Sequence, residues 1–162
     1  MRAVIQRVNR AECTVDGEVT GRCGEGLCIL LGVYDTDAPL EARLLAEKIV
    51  KMRIFRDEAG HMNRSIEDID GEMLVISNFT LCADCVHGHR PDFTHSMNAD
   101  GARELYEYFV SLVKEKVRSV GTGRFGAHMH IDSELDGPVT VVLDSTDIFS
   151  KERAAQSAGK SK

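Results

Sequence analysis

Two stretches of this chain hold side chains whose types and spacing suit chemistry. The first is Cys82-Ala83-Asp84-Cys85-Val86-His87-Gly88-His89. Its two thiols and two imidazoles are a donor set for tetrahedral zinc, and Cys82 with Cys85 alone would make a dithiol redox pair. The geometry argues against both. Structural zinc sites usually take their second ligand pair from another element, and alternate residues of an extended segment point to opposite faces. A redox CxxC normally opens a helix, whereas this one follows a strand. Two incidental thiols beside an exposed loop is the plainer reading.

The second stretch is residues 72–81, EMLVISNFTL. Met73 to Ile76 form a continuous apolar run, as in a strand buried on both faces. Ser77, Asn78 and Thr80 then bring hydroxyls and an amide to the strand's downstream end, interleaved with Phe79 and Leu81. Polar groups in that position need partners in the protein or in a ligand, and ligand sites in α/β sheets gather at such strand ends. A strand running into a polar loop would look the same. No GxSxG elbow, glycine-rich phosphate loop or outstanding carboxylate pair is present, and the six histidines have no spacing that assigns a triad.

These stretches must be held by the rest of the chain. Residues 2–8 alternate as a first strand, with Arg7 on one face. Residues 12–21 flank Asp16-Gly17, a strong hairpin signal, and residues 27–33 form another continuously apolar strand. Capping side chains at 35–37 and Pro39 start an amphipathic helix with Leu40, Leu44, Leu45, Ile49 and Met52 at helical spacing. A short strand at 52–56, a turn at 57–60 and a polar loop at 61–65 lead to the central strand. A second amphipathic helix spans 100–117, with Leu105, Tyr106, Phe109, Leu112, Val113 and Val117 as its apolar stripe. Residues 125–131 and 139–143 read as two last strands. Gly137-Pro138, by spacing alone, is an ordinary strand-entry turn. The pattern predicts a single α/β domain over residues 1–149, with a mixed, largely antiparallel sheet and two main covering helices. Residues 150–162 read as a polar, disordered tail.

The 162 residues, 43% hydrophobic and 28% charged, fit one soluble domain. Without a signal peptide or a membrane-length apolar run, the expected location is cytoplasmic. Five cysteines, an odd number, suit free and mostly buried thiols. A net charge of −6 disfavours a general nucleic-acid coat but permits an RNA substrate held by a local basic patch.

The ordered segments MRAVIQRV, VDGEVTGR-GEGL-ILLGV, LAEKIVKMRIFRDEAGHMN, LVISNFTLCAD–GHRPDF, GRFGAHM and DGPVT-VLDS resemble the D-aminoacyl-tRNA deacylase (D-tyrosyl-tRNA deacylase) family over about residues 1–145. The resemblance implies a compact domain of that type, acting as a cofactor-free, metal-free cytoplasmic homodimer. Its partner is the 3′ end of D-aminoacyl-tRNA, with no DNA and no membrane. The reaction implied is hydrolysis of the ester, as chiral proofreading that spares L-aminoacyl-tRNA. The family's S-Q-x-x-L motif falls on Ser77, Asn78, Phe79, Thr80 and Leu81, which carries the catalytic assignment to Ser77, Asn78, Phe79 and Thr80 and a substrate-binding one to Leu81. Its N-x-G-P-x-T motif falls on residues 135–140. There a cis Gly137-Pro138 loop is expected to enter the partner subunit's pocket and exclude L side chains, braced by Arg7. Phe125 is expected near the terminal adenine. Asn78 stands where the family has Gln, and Leu135 where it has Asn.

Backbone N–H groups near Phe79 and Thr80 are expected to stabilise the developing oxyanion. No base is visible beside Thr80, which favours water attack assisted by the RNA's terminal 2′-OH over a threonine nucleophile. Glycyl-tRNA, lacking the excluded side chain, is a further expected substrate. Two other readings stand beside this one: a zinc-binding or redox module on Cys82, Cys85, His87 and His89, and an aminoacyl-tRNA-binding relative without hydrolysis.

Overall fold

Burial along the first strand changes phase partway, and this divides the core. In the computed structural model, which describes residues 1–148, β1 spans Arg2–Val15 as one strand. Ala3 and Ile5 join the larger core, whereas Val8, Ala11 and Cys13 join a smaller one. The switch coincides with two register shifts between β1 and the last strand, on either side of Val8. A bulge changes which face the following side chains occupy, so one strand serves both cores.

The hairpin at Asp16-Gly17 turns β1 back into β2 (Glu18–Cys23), which pairs with residues 11–15 of β1. After Gly24-Glu25, β3 (Gly26–Gly32) continues along the same edge and pairs with residues 2–8. The expected separate strands at 2–8 and 12–15 are therefore one, because β2 and β3 lie end to end beside it. On β3, β6 (Glu72–Ser77) adds in parallel, and β7 (Ser119–Thr122) adds in parallel on β6.

The sheet curls until β7 meets β2 backbone to backbone. A Cβ at Gly21 would lie 2.2 Å from the Thr122 carbonyl oxygen, and one at Gly121 would lie 2.5 Å from that of Arg22. Only glycine permits this approach.

Helices α1 (Pro39–Val50) and α2 (Ala99–Lys114) cover the larger core as expected, through Leu45, Ile49, Leu105, Phe109 and Val113. Their caps differ from one another. The Asn98 side chain accepts from the Gly101 N–H at 3.0 Å, an ordinary N-cap. At α1 the cap residue is Ala38, and Glu41 accepts from its N–H at 3.0 Å. Asp37, expected to cap, instead accepts from the Tyr34 N–H and pairs with the Met1 ammonium.

Three other expectations need correction. The polar loop at 61–65 contains β5 (Met62–Arg64), paired with β4 (Phe55–Arg56). Residues 125–129 are not strand: β7 lies earlier, Gly126 takes a φ of +77° in a turn, and β8 begins at His130. Gly137-Pro138 is no strand entry either. It sits inside β8 (His130–Asp144), with a cis peptide bond and a Gly137 φ of +124°. The expected tail lies outside the described residues, and no helix among those described is long and apolar enough to cross a membrane.

Candidate active site

Strands β3, β6 and β7 run parallel, and a cleft of about 420 Å³ opens where they end. This is the usual ligand position of parallel strands. Its floor is Leu30, Leu31 and Ile76, and its rim is Ser77, Asn78, Phe79 and Thr80. The central strand stops at Ser77, earlier than the expected Leu81, because Phe79–Cys82 wind into a 3₁₀ turn.

Asn78 organises that turn. Its backbone N–H donates to Leu31 at 2.8 Å, tying it to β3. Its side-chain oxygen accepts from the Thr80 N–H at 3.2 Å and from the Thr80 hydroxyl at 2.5 Å. The shorter amide at this position thus folds back as an N-cap. This corrects part of the expected oxyanion site, since the Thr80 N–H is already engaged. The Phe79 N–H, at the start of the turn, has no acceptor among the described residues, as expected for the first N–H of a helical turn. The Thr80 proton goes to an amide oxygen, which is no general base.

Three contacts hold the turn from behind. Ser96 Oγ donates to the Phe79 carbonyl at 3.2 Å. Arg2 donates to the Leu81 carbonyl at 3.2 Å and pairs through Nε with Asp144 at 3.1 Å. Gly32 passes so close beneath that a Cβ there would lie 3.0 Å from Leu81 Cβ and 3.1 Å from the Asn78 carbonyl. Burial pushes the Asp144 carboxyl upward, but hydrogen bonds from Thr146 and Arg2 and the nearby charge of the amino terminus together hold it below its usual range. Tyr34 OH also donates to Asp144 at 3.3 Å, and burial beside that carboxylate pushes the phenol up to about 12. Sequence reading missed Arg2 and Asp144. They lie at opposite ends of the chain and meet only through β1–β8 pairing.

The far wall is Phe125, followed by Gly126 to Met129. The Phe125 ring lies 5.9 Å from that of Tyr106, and the Arg103 guanidinium stacks 4.7 Å from its centre. Tyr106 OH donates to the Val75 carbonyl at 2.8 Å, securing α2 to the central strand. Phe79 is 59% exposed, and its ring meets that of Phe93 edge-on, at 5.0 Å. These two rings form an apolar lip that no sequence spacing linked.

The second motif does not line this cleft. Opposite Arg7, β8 loops outward: Gln6 pairs with Thr140 and Val8 with Leu135, so one residue of β1 faces residues 136–139. Arg7 is 3% exposed and its guanidinium fills the bulge. It donates to the Ile54 carbonyl at 2.5 Å. Its Nε lies 2.6 Å from Asp136 Oδ2, out of line for a hydrogen bond, so charge attraction holds that pair. Its outer nitrogen lies 3.3 Å from where a Gly137 Cβ would be. Arg7 therefore supports the Gly137-Pro138 loop directly. Asp136, its ionic partner, went unassigned in the sequence. Leu135 is exposed, so its missing amide leaves no buried gap.

The zinc-like segment does not converge. Cys82, the last residue of the 3₁₀ turn, is 2% exposed, whereas Cys85, His87 and His89 stand exposed. Among the described residues no group of three or more His, Cys, Asp or Glu side chains is placed to hold a metal ion.

Residues 4–144 match the family model described as D-Tyr-tRNA(Tyr) deacylase. A D-aminoacyl-tRNA deacylase from Deinococcus radiodurans is 55% identical over 144 residues, 89% of this chain and 99% of that protein. One from Caldicellulosiruptor saccharolyticus is 49% identical over 149 residues, 92% of this chain and all of that protein. Among solved structures, the c-Myc DNA unwinding element binding protein superposes with a TM-score of 0.84 at 38% identity, covering 89% of this chain and 98% of its own. A probable eukaryotic D-amino acid tRNA deacylase has the same fold, with a TM-score of 0.75 at 18% identity over 88% of this chain and 98% of its own. With a family model spanning nearly all of the described residues and full-length relatives at about half identity, this chain belongs to the D-Tyr-tRNA(Tyr) deacylase family.

Proposed function

We propose that the protein hydrolyses the ester joining a D-amino acid to the 3′ end of tRNA, releasing the free amino acid and the tRNA. The observation that carries this reading is the small cleft at the ends of β3, β6 and β7. It has an aromatic wall at Phe125 for a base and an unengaged Phe79 N–H at its rim. In this mechanism a water oxygen attacks the acyl carbon, and the carbonyl oxygen becomes an oxyanion that the Phe79 N–H meets. The tetrahedral centre collapses, the ribose 3′-oxygen leaves, and it takes up a proton. The RNA's neighbouring 2′-OH assists the water, since Thr80 has no base beside it.

The working unit is a homodimer in the cytoplasm. Two features of the fold support this. Gly137-Pro138 bulges from β8 and does not line its own chain's cleft. Strand β8 pairs with β1 alone among the described residues, which leaves a long, largely exposed edge of the kind proteins normally cover. In the dimer the loop enters the partner's cleft, where rigid backbone rejects an L side chain by collision. Glycyl-tRNA escapes that collision and is also cleaved.

The deciding experiment compares D-Tyr-tRNA, L-Tyr-tRNA and glycyl-tRNA with purified protein, alongside light scattering for mass. Loss of the D and glycyl esters with the L ester spared, by a dimer, is the expected result. Tight binding of the D ester without turnover would replace this reading with a non-hydrolytic one.

A further inference from the structure

Resting on the deacylase reading above, we propose that the groove between α2 and the end of β7 carries the RNA strand leading into the cleft, with Arg103 and Lys114 meeting its phosphates. The groove, about 340 Å³, is lined by Arg103, Glu107, Lys114, Thr122 and Gly123, and it shares Tyr106 and Phe125 with the cleft. Phe125 is thus the partition between the two. A strand whose last base lies against Phe125 in the cleft crosses Arg103, stacked on the same ring at 4.7 Å, on its way out. Arg103 and Lys114 stand eleven positions apart on α2, close to three turns, and so lie on one face about 16 Å apart. That spacing follows a backbone rather than a single anion.

The charge distribution singles out the same pair. A chain of net charge −6 draws no polyanion by its total, so the attraction must be local. Arg2 is committed to Asp144, and Arg124 more loosely to Asp16 and Glu18. Among the described residues Arg103 and Lys114 have no carboxylate within ion-pair distance. Glu107 is the single carboxylate lining the groove, and its charge opposes the strand.

The test measures kcat/KM against salt for D-aminoacyl-tRNA and for the same D-aminoacyl ester of adenosine, which lacks the strand. Lys114→Gln and Arg103→Gln each lower the ratio of the tRNA value to the adenosine value about fivefold through KM, and each flattens the log–log salt slope by about 0.7. Arg103→Lys restores both readouts, and Glu107→Gln raises the ratio. Lys114→Gln is the cleaner variant, since Arg103 also supports Phe125. If Arg90→Gln, in the exposed loop between Asp84 and Asp92 and outside the groove, moves both readouts while the groove variants do not, the strand leaves by another side and the proposal falls. It also falls if wild type cleaves both substrates and no variant changes the ratio. A wild type that cleaves neither overturns the deacylase reading itself.

Discussion

The side-chain oxygen of Asn78 lies 2.5 Å from the Thr80 hydroxyl and 3.2 Å from the Thr80 amide nitrogen, so one amide binds both polar groups of the threonine. A hydroxyl donating to an amide has no route to deprotonation, so Thr80 cannot act as an activated nucleophile. Thr80→Val is expected to keep kcat within a few-fold of wild type. Asn78→Ala removes the cap, costs about 1 kcal/mol of stability, and lowers kcat more than Thr80→Val does. Steady-state kinetics on D-aminoacyl-tRNA with urea unfolding checks both. A kcat for Thr80→Val at the uncatalysed rate would reinstate the hydroxyl as nucleophile.

Removing either partner of the Arg7–Asp136 pair should have unequal consequences. Arg7 is 3% exposed, whereas the Asp136 side chain is 46% exposed. Asp136→Ala strands a buried guanidinium with the Ile54 carbonyl as its remaining hydrogen-bond partner, and is expected to cost about 3 kcal/mol. Arg7→Met leaves a carboxylate that water can solvate and a carbonyl short of one bond, a cost of about 1–2 kcal/mol. Both loosen the Gly137-Pro138 loop, so the ratio of D- to L-ester cleavage falls in each. Urea midpoints and the two hydrolysis rates report these effects, and equal midpoints would contradict the asymmetry.

Arg2 and Asp144 act on the site through the Leu81 carbonyl, as positioning residues. Arg2→Gln is expected to lower kcat with KM little changed, and Arg2→Lys to recover part of the loss. The carboxyl of Asp144 is held below its usual range when folded. Its contribution is therefore present above the unfolded value, about 3.9, and is lost as pH falls through the lower folded value. Unfolding midpoints of wild type and Asp144→Asn should differ at pH 6 and converge as the pH drops below about 4. A gap that widened on acidification would show the sign to be wrong.

Thiol accessibility gives a direct reading of the core. Cys85 is exposed, while Cys13, Cys23, Cys28 and Cys82 are buried. Burial pushes Cys23 up to about 11 and Cys28, which is also near two other thiols, up to about 12. Aromatic disulfide reagent at pH 8 should therefore titrate one thiol quickly in native protein and the other four only on unfolding. Cys85→Ser should abolish the fast phase. A fast phase of three or more thiols would mean the smaller core is open.

Local pattern carried much of the fold. Alternation in residues 2–8, the Asp16-Gly17 turn, the apolar runs at 27–33 and 73–76 and the two amphipathic stripes each encode their element within a few residues. So does the passage from Ile76 into Ser77, Asn78 and Thr80, where a buried strand meets hydroxyls it must satisfy. The family resemblance implied Arg7 beside Gly137-Pro138, and the fold puts the two next to each other. What the chain could not disclose locally are relations between distant segments. The merging of residues 2–8 and 12–15 into one strand depends on β2 and β3 aligning along a common edge. Glycine at 21 and 121 reads as strand weakness until β7 is seen lying on β2. Arg2 reaches Asp144, and Arg103 reaches Phe125, only because β8 and α2 dock where they do. Sequence alone determined which side chains had chemistry to offer. Tertiary structure decided their company: Thr80 bound to an amide, Cys82 buried apart from its histidines, and Gly137-Pro138 left out of its own cleft's lining. These outcomes depend on packing and on long-range register, and no local spacing encodes them.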